Sequence, residues 1–324
     1  MKRDVLVTRQ LPEPAIERLR GSCAVSLNGE DRPLTRAELV DRARDKDALL
    51  CLLTDRIDGE VMDAAGRRLR IIGNCAVGYD NVDLPAANAR RIPVTNTPEV
   101  LTDATADLAW ALIMDTVRRV TEGDRAMRRG DFRGWAPLFM LGGDVTGATL
   151  GLYGMGRIGR AVARRAAGFR MRILYNDVRR LGEDEERGLA ASFADFDTLL
   201  SESDIISIHV PLDPGTRHRF TLNEFSRMKR TACLINTSRG PVVREADLAE
   251  ALKRRLIAGA GLDVYENEPG MAEGLAENES AVLSPHLGSA TLSTRTRMAN
   301  LAVDNILAAL EGRRPPNCIN PEVL

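Results

Sequence analysis

Ala148-Thr149-Leu150-Gly151-Leu152-Tyr153, followed by Gly154-Met155-Gly156-Arg157-Ile158-Gly159, opens the stretch that decides the fold. The first six residues read as a short apolar strand. The glycine run leads into an amphipathic helix, and a second strand, Met171-Arg172-Ile173-Leu174-Tyr175, closes on Asn176-Asp177. A Gly-x-Gly-x-x-Gly alone carries little weight. Set between a strand and a helix, with an acidic residue about 20 positions on, it reads as a dinucleotide site.

Each position has a physical task. Gly154 permits the tight turn, Gly156 lets backbone approach a pyrophosphate, and Gly159 lets the helix lie close to the strand. Arg157 and Ile158 open that helix, whose free N–H groups and positive dipole end suit phosphate. Asp177 is placed to accept hydrogen bonds from a ribose 2′-OH and to repel a 2′-phosphate, which favours NAD over NADP. Arg179 and Arg180, just beyond it, pull the other way.

The totals set outer limits. At 324 residues the chain can build two full cores. A net charge of -1 with 28% charged residues gives no global attraction to nucleic acid or anionic membrane. No apolar run approaches the length of a membrane span, and Met1-Lys2-Arg3-Asp4 lacks the apolar core of a signal peptide. Cys23, Cys51, Cys75, Cys233 and Cys318 are scattered and include no CxxC, so reduced, buried thiols and a cytoplasmic protein are expected, with no metal site.

Upstream of the glycine run, strands and helices alternate. Strands are expected at Val5–Val7, Ala24–Leu27, Ala48–Leu53, Arg70–Asn74 and Ile92–Thr95. Helices are expected near Pro14, after a Thr35/Glu38 capping box, around Val61 and after Leu84. This alternation predicts an α/β fold with a parallel, doubly wound sheet. The loop Ala76-Val77-Gly78-Tyr79-Asp80-Asn81-Val82-Asp83 follows a strand end and reads equally as a ligand loop or a glycine turn. A long helix from Thr102 through Arg119 is expected to connect two domains. Gly134-Trp135-Ala136-Pro137-Leu138-Phe139-Met140-Leu141 puts much apolar surface in a loop, which suits a subunit interface better than a substrate lid.

Downstream, polar residues gather where strands end. Asp204–His209 stops at Val210-Pro211, Ala232–Asn236 runs into Thr237-Ser238-Arg239-Gly240, Gly259–Val264 precedes Tyr265–Pro269, and Ala281–Leu283 precedes Ser284-Pro285-His286. In an open parallel sheet these ends share one edge, so Arg239, Glu268 and His286 should converge. Of the three histidines, His218 lies in a polar loop where a solvated ring is expected, and His209 can at most line a nucleotide crevice. His286 is either structural or a general acid. Hydride delivery to a carbonyl generates an alkoxide, and an imidazole can protonate it. A carboxylate such as Glu268 would favour the imidazolium, and a guanidinium such as Arg239 would clamp a substrate carboxylate. That set of groups calls for a 2-keto acid.

These residues resemble the D-isomer-specific 2-hydroxyacid dehydrogenases over essentially the whole chain. The likeness rests on Ala76–Asp83, Gly154–Gly159, Ile235–Gly240, Gly261–Pro269 and Pro285–Ser289. Val100–Trp110 brings it nearest the glyoxylate/hydroxypyruvate reductase branch. The resemblance implies that Arg239 anchors substrate and His286, paired with Glu268, is the acid/base. Val77 and Gly78 would hold substrate through backbone groups, with Trp135 facing its own or a neighbouring site. Thr105, Val210, Pro211, Thr216, Thr237, Asp263 and Gly288 would surround the cofactor, NAD in preference to NADP.

It further implies a Rossmann NAD-binding domain over 100–287 and a flavodoxin-like substrate domain over 1–99 plus 288–324. An active-site cleft would lie between them, in a homodimer. Arg219 departs from the family, which usually has an apolar residue there. Glyoxylate to glycolate and hydroxypyruvate to D-glycerate are the expected reactions. The scaffold also serves dehydrogenases of other D-2-hydroxy acids or of phosphite, and an NAD-sensing corepressor.

Overall fold

The computed structural model describes residues 2–324. Two compact units emerge: residues up to Leu101 with Ala290–Leu324, and Thr102–Ser289. Both divisions fall two residues later than the boundaries expected from the sequence. The reason is local. Arg297 donates to the carbonyl of Val100 inside the first unit. Gly288 is held inside the second, where its N–H donates to Asp263 and its carbonyl accepts from Thr105.

The first unit contains strands β1 (Arg3–Val7), β2 (Cys23–Leu27), β3 (Ala48–Cys51), β4 (Ile71–Asn74) and β5 (Val94–Thr95). They form one sheet in the order β2-β1-β3-β4-β5, with every pair parallel. This is the flavodoxin-like doubly wound order. β3 and β4 are buried along their whole length, as strands covered by helices on both faces must be. The helix Leu292–Leu310 returns to this unit and packs on β3 and β4. A Cβ on Gly73 would lie 2.9 Å from the side chain of Ile306, so the close approach needs glycine. The Thr35/Glu38 capping box forms at the start of the helix Arg36–Ala43.

The second unit holds β6 (Thr149–Tyr153), β7 (Arg172–Asn176), β8 (Ala191–Phe193), β9 (Ile205–Ile208), β10 (Cys233–Asn236), β11 (Gly259–Leu262) and β12 (Ala281–Leu283). The order is β12-β11-β10-β9-β6-β7-β8. All neighbours are parallel, and the order in which successive strands are added reverses between β6 and β9, the Rossmann pattern with one added strand, so the switch point lies at their carboxyl ends. β8 was not foreseen, because it is a three-residue edge strand with two exposed positions.

The long helix differs from its expected role. Thr102–Arg118 is an integral layer of the second unit, packed on β10, β11 and β12, and burying Ala106, Ala109, Trp110 and Ile113. Trp110 stacks on Phe169 at 4.7 Å and donates to the carbonyl of Val162. The helix stops short of Arg119, which adopts φ +56°, and a separate helix, Val120–Arg129, follows.

Candidate active site

The glycine run closes around the switch point. Gly154 has φ +101°, and a Cβ there would fall 2.6 Å from the backbone of His209 at the end of β9. A Cβ on Gly159 would sit 2.2 Å from the carbonyl oxygen of Gly154, so the helix Arg157–Ala166 seats close to β6. At Gly156 nothing lies within 4 Å of that position, which leaves room for a ligand to reach backbone. Asp177 accepts from the N–H of Met155 at 2.7 Å and from the N–H of Arg179 at 3.1 Å. Its carboxylate therefore also braces the glycine turn.

Around the same edge, His209 Nδ1 and Thr237 Oγ1 are buried without a hydrogen-bond partner. Buried polar atoms are rarely left so unless something else supplies the partner. Orphaned atoms beside an open glycine turn fit a dinucleotide. The other ring nitrogen of His209 lies 2.8 Å from Ser207 Oγ, and burial pushes this imidazole down to about 3. His209 is thus neutral at working pH and no acid catalyst. Thr216 donates to the Pro211 carbonyl at 2.7 Å and accepts from Asp213 N–H, which shapes the loop after Val210.

Three strand ends then carry Arg239, Glu268 and His286. After β10, buried Asn236 accepts from Ser238 N–H and Oγ and donates to the Arg239 carbonyl, a local turn that presents the Arg239 side chain. After β11, Glu268 accepts from Tyr265 N–H at 3.1 Å. After β12, His286 sits at φ +54°, its N–H donating to the Asp263 carbonyl at 2.9 Å. Its Nδ1 stands 2.9 Å and 3.1 Å from the two oxygens of Glu268.

Burial works against a charged Glu268, but the hydrogen bond and charge of His286, Tyr265 N–H and the charge of Arg239 outweigh it. The carboxyl is held below its usual range. The three side chains expected to converge do share one edge. With Nδ1 turned to the carboxylate, Nε2 is the nitrogen left for a reacting group.

Comparison with known proteins supplies the family. Residues 110–288 match the model for the D-isomer specific 2-hydroxyacid dehydrogenase, NAD binding domain. A glyoxylate reductase of Korarchaeum cryptofilum is 49% identical over 100% of this chain and 98% of its own. The chain belongs to the D-isomer-specific 2-hydroxyacid dehydrogenase family. Among solved structures, a glyoxylate reductase from Paecilomyes thermophila superposes with a TM-score of 0.88 at 32% identity, covering 99% of each chain. An NADPH-dependent glyoxylate/hydroxypyruvate reductase from Sinorhizobium meliloti, in complex with NADP and malonate, gives 0.87 at 33% identity, covering 99% of this chain and 98% of its own.

This dehydrogenase is therefore an oxidoreductase with an NAD-binding unit, and the structure locates the other residues that the sequence singled out. Asp263 has its oxygens filled by Leu287 N–H at 2.6 Å, Gly288 N–H at 2.8 Å and Ser284 Oγ at 2.6 Å. It thereby fixes the turn that carries His286. Thr105 donates to the Gly288 carbonyl at 3.2 Å. In the first unit, the carbonyls of Val77 and Gly78 accept from the amides of Asn96 and Asn74, which holds that loop from its carbonyl side.

Trp135 is 86% exposed within a segment that also exposes Leu138 and Leu141. His218 departs from the expected solvated ring: it is half-buried, with Nε2 2.6 Å from Glu266 Oε1. Asn236 and Glu266 lie inside stretches that carry the family resemblance yet were given no role there, and Glu245 lies outside them; their bonds to backbone N–H and carbonyl groups leave no mark in the sequence. Arg219 lays its guanidinium 3.8 Å from the centroid of Phe196, so a cation–π contact takes the place of an apolar side chain.

Proposed function

We propose that this dehydrogenase reduces small 2-keto acids with NADH, glyoxylate to glycolate and hydroxypyruvate to D-glycerate. The observation that carries the reading is the 2.9 Å pairing of His286 Nδ1 with Glu268 in the unit that bears the dinucleotide fingerprint. The relatives named for glyoxylate reduction support the substrate class.

When bound, the nicotinamide supplies the hydride that reaches the carbonyl carbon. Arg239 clamps the substrate carboxylate with its planar fork and fixes which face of the carbonyl is offered. His286 gives the proton on Nε2 to the oxygen as charge develops there. Glu268 stabilises the imidazolium before transfer and orients the ring throughout. Thr105, Val210, Pro211, Thr216, Thr237 and Gly288 line the cofactor side, and Asp177 reads the ribose. Backbone groups at Val77 and Gly78 hold the substrate, which makes the first unit the substrate-binding domain. Mixing protein, NADH and either keto acid should bleach absorbance at the nicotinamide band. No turnover with any 2-keto acid defeats the reading.

The same reading makes the protein a homodimer. Val120, Met127, Phe132, Trp135, Leu138 and Leu141 are all exposed within one short stretch, more apolar surface than a monomer usually leaves in water. Light scattering should return twice the chain mass, and Trp135→Ser with Leu138→Ser should shift it toward one copy. Five unpaired thiols support a reducing, cytoplasmic setting.

A further inference from the structure

Behind the Glu268 loop lies a set of polar side chains that proton transfer does not use. Glu245, at the start of the helix Glu245–Lys253, is only 3% exposed. Its carboxylate accepts from the N–H of Glu266 and, at 2.8 Å, from the N–H of Ala272. Glu266 reciprocates, accepting from the N–H of Glu245 at 2.8 Å, while its other oxygen lies 2.6 Å from His218 Nε2. The N–H of His218 donates to the Pro241 carbonyl at 2.7 Å.

Three loops are thereby tied together: 216–220, 239–245 and 265–272. The second carries Arg239 and the third carries Glu268. Gly240 shows how tightly they meet, because a Cβ there would fall 1.9 Å from the carbonyl carbon of Tyr265. A buried carboxylate is costly unless its oxygens are satisfied, and apolar residues would fill the same volume at less cost. Here the oxygens are spent on the backbone of the very loops whose placement the chemistry needs.

We propose that Glu245, Glu266 and His218 form a positioning clamp that sets Glu268 against His286 and so governs proton transfer without touching the reacting atoms. This rests on the roles given above to Glu268 and His286. A displacement of about 1 Å in such a group lowers turnover by roughly 10²-fold.

Glu266→Ala releases both partners, whereas Glu266→Gln keeps an oxygen for Glu245 N–H and an amide within reach of His218 Nε2. With NADH and glyoxylate, Glu266→Ala should lower kcat by about tenfold or more, with NADH affinity by fluorescence unchanged within about twofold. The alkaline limb of kcat/KM should also move to lower pH, because a misplaced Glu268 supports the imidazolium less well. Glu266→Gln should recover most of the rate and the original limb.

A folded Glu266→Ala protein with wild-type kcat and limb overturns the clamp. So does a slowed one whose limb stays put, since that is a structural loss alone. If Glu266→Ala does not fold, Glu266→Asp, too short to reach both partners, is read against the same criteria. His286→Ala separates the two levels. Full turnover in His286→Ala removes the catalytic reading and the clamp with it, whereas dead His286→Ala beside unaffected Glu266→Ala removes the clamp alone.

Discussion

His286 holds a backbone conformation, φ +54°, that a side chain adopts only when its surroundings insist. Those surroundings are the Asp263 carbonyl and carboxylate, which take the N–H groups of residues 286, 287 and 288. The ring is thus aimed before any substrate arrives. His286→Ala is expected to lower kcat about 10²–10⁴-fold, the usual worth of a general acid, with a far smaller change in NADH affinity. Steady-state kinetics with fluorescence titration checks both halves. Asp177 braces the glycine turn, and on the proposed reading it also faces the cofactor ribose; one substitution separates the two. Asp177→Asn keeps an oxygen for Met155 N–H, so the glycine turn survives, but loses the charge that repels a 2′-phosphate. The preference for NADH over NADPH should fall by about tenfold, mostly through tighter NADPH, since removing a like charge beside a phosphate is worth roughly 1 kcal/mol or more. Equal loss for both cofactors would mean that the carboxylate only braces the turn.

At the level of elements, what could be read ahead of the structure was whatever is written locally. Strands such as Ala48–Cys51 announce themselves as continuous apolar runs, because both faces are covered. Their carboxyl ends share an edge by topology alone, which is why Arg239, Glu268 and His286 could be grouped though 47 positions separate the first from the last. Three things were not legible. β8 has too few residues and too little burial to show a period. The stop of the long helix at Arg118 has no proline or glycine to mark it, since the residue that takes the left-handed turn is Arg119. The pairing of Glu245 with Glu266 spans 21 positions and runs through backbone N–H groups, a kind of contact that side-chain chemistry does not advertise. His218 was read as solvated for the same reason, because its partner Glu266 comes from a distant loop.

For the molecule as a whole, most charge is spread in exposed Arg–carboxylate pairs, such as Arg18–Asp304 and Arg128–Asp124, each worth little in water. The pH dependence of stability therefore falls to buried groups, and these act in both directions. Asp263 and Asp55 are raised by burial, so their contribution is full in acid and fades as pH rises through their folded values. Glu268 is lowered, so its contribution is present near neutrality and fades in acid. His209 also acts on the acid side. Its ring is pushed down to about 3 by burial, whereas the unfolded ring titrates near 6.5. Between those values the unfolded chain binds a proton that the folded chain refuses, so stability is full above about 6.5 and declines as pH falls toward about 3. The slope from this one group is about 1.4 kcal/mol per pH unit, or roughly 2 kcal/mol between pH 6.5 and 5. His209→Gln, which keeps a partner for Ser207 and cannot take the proton, should flatten that part of the profile. Calorimetric melting midpoints at pH 7, 6 and 5 should fall several degrees more steeply in the wild type than in His209→Gln. Parallel profiles would mean that the ring accepts its proton inside the fold, and that the switch point is wetter than the orphaned Nδ1 implies.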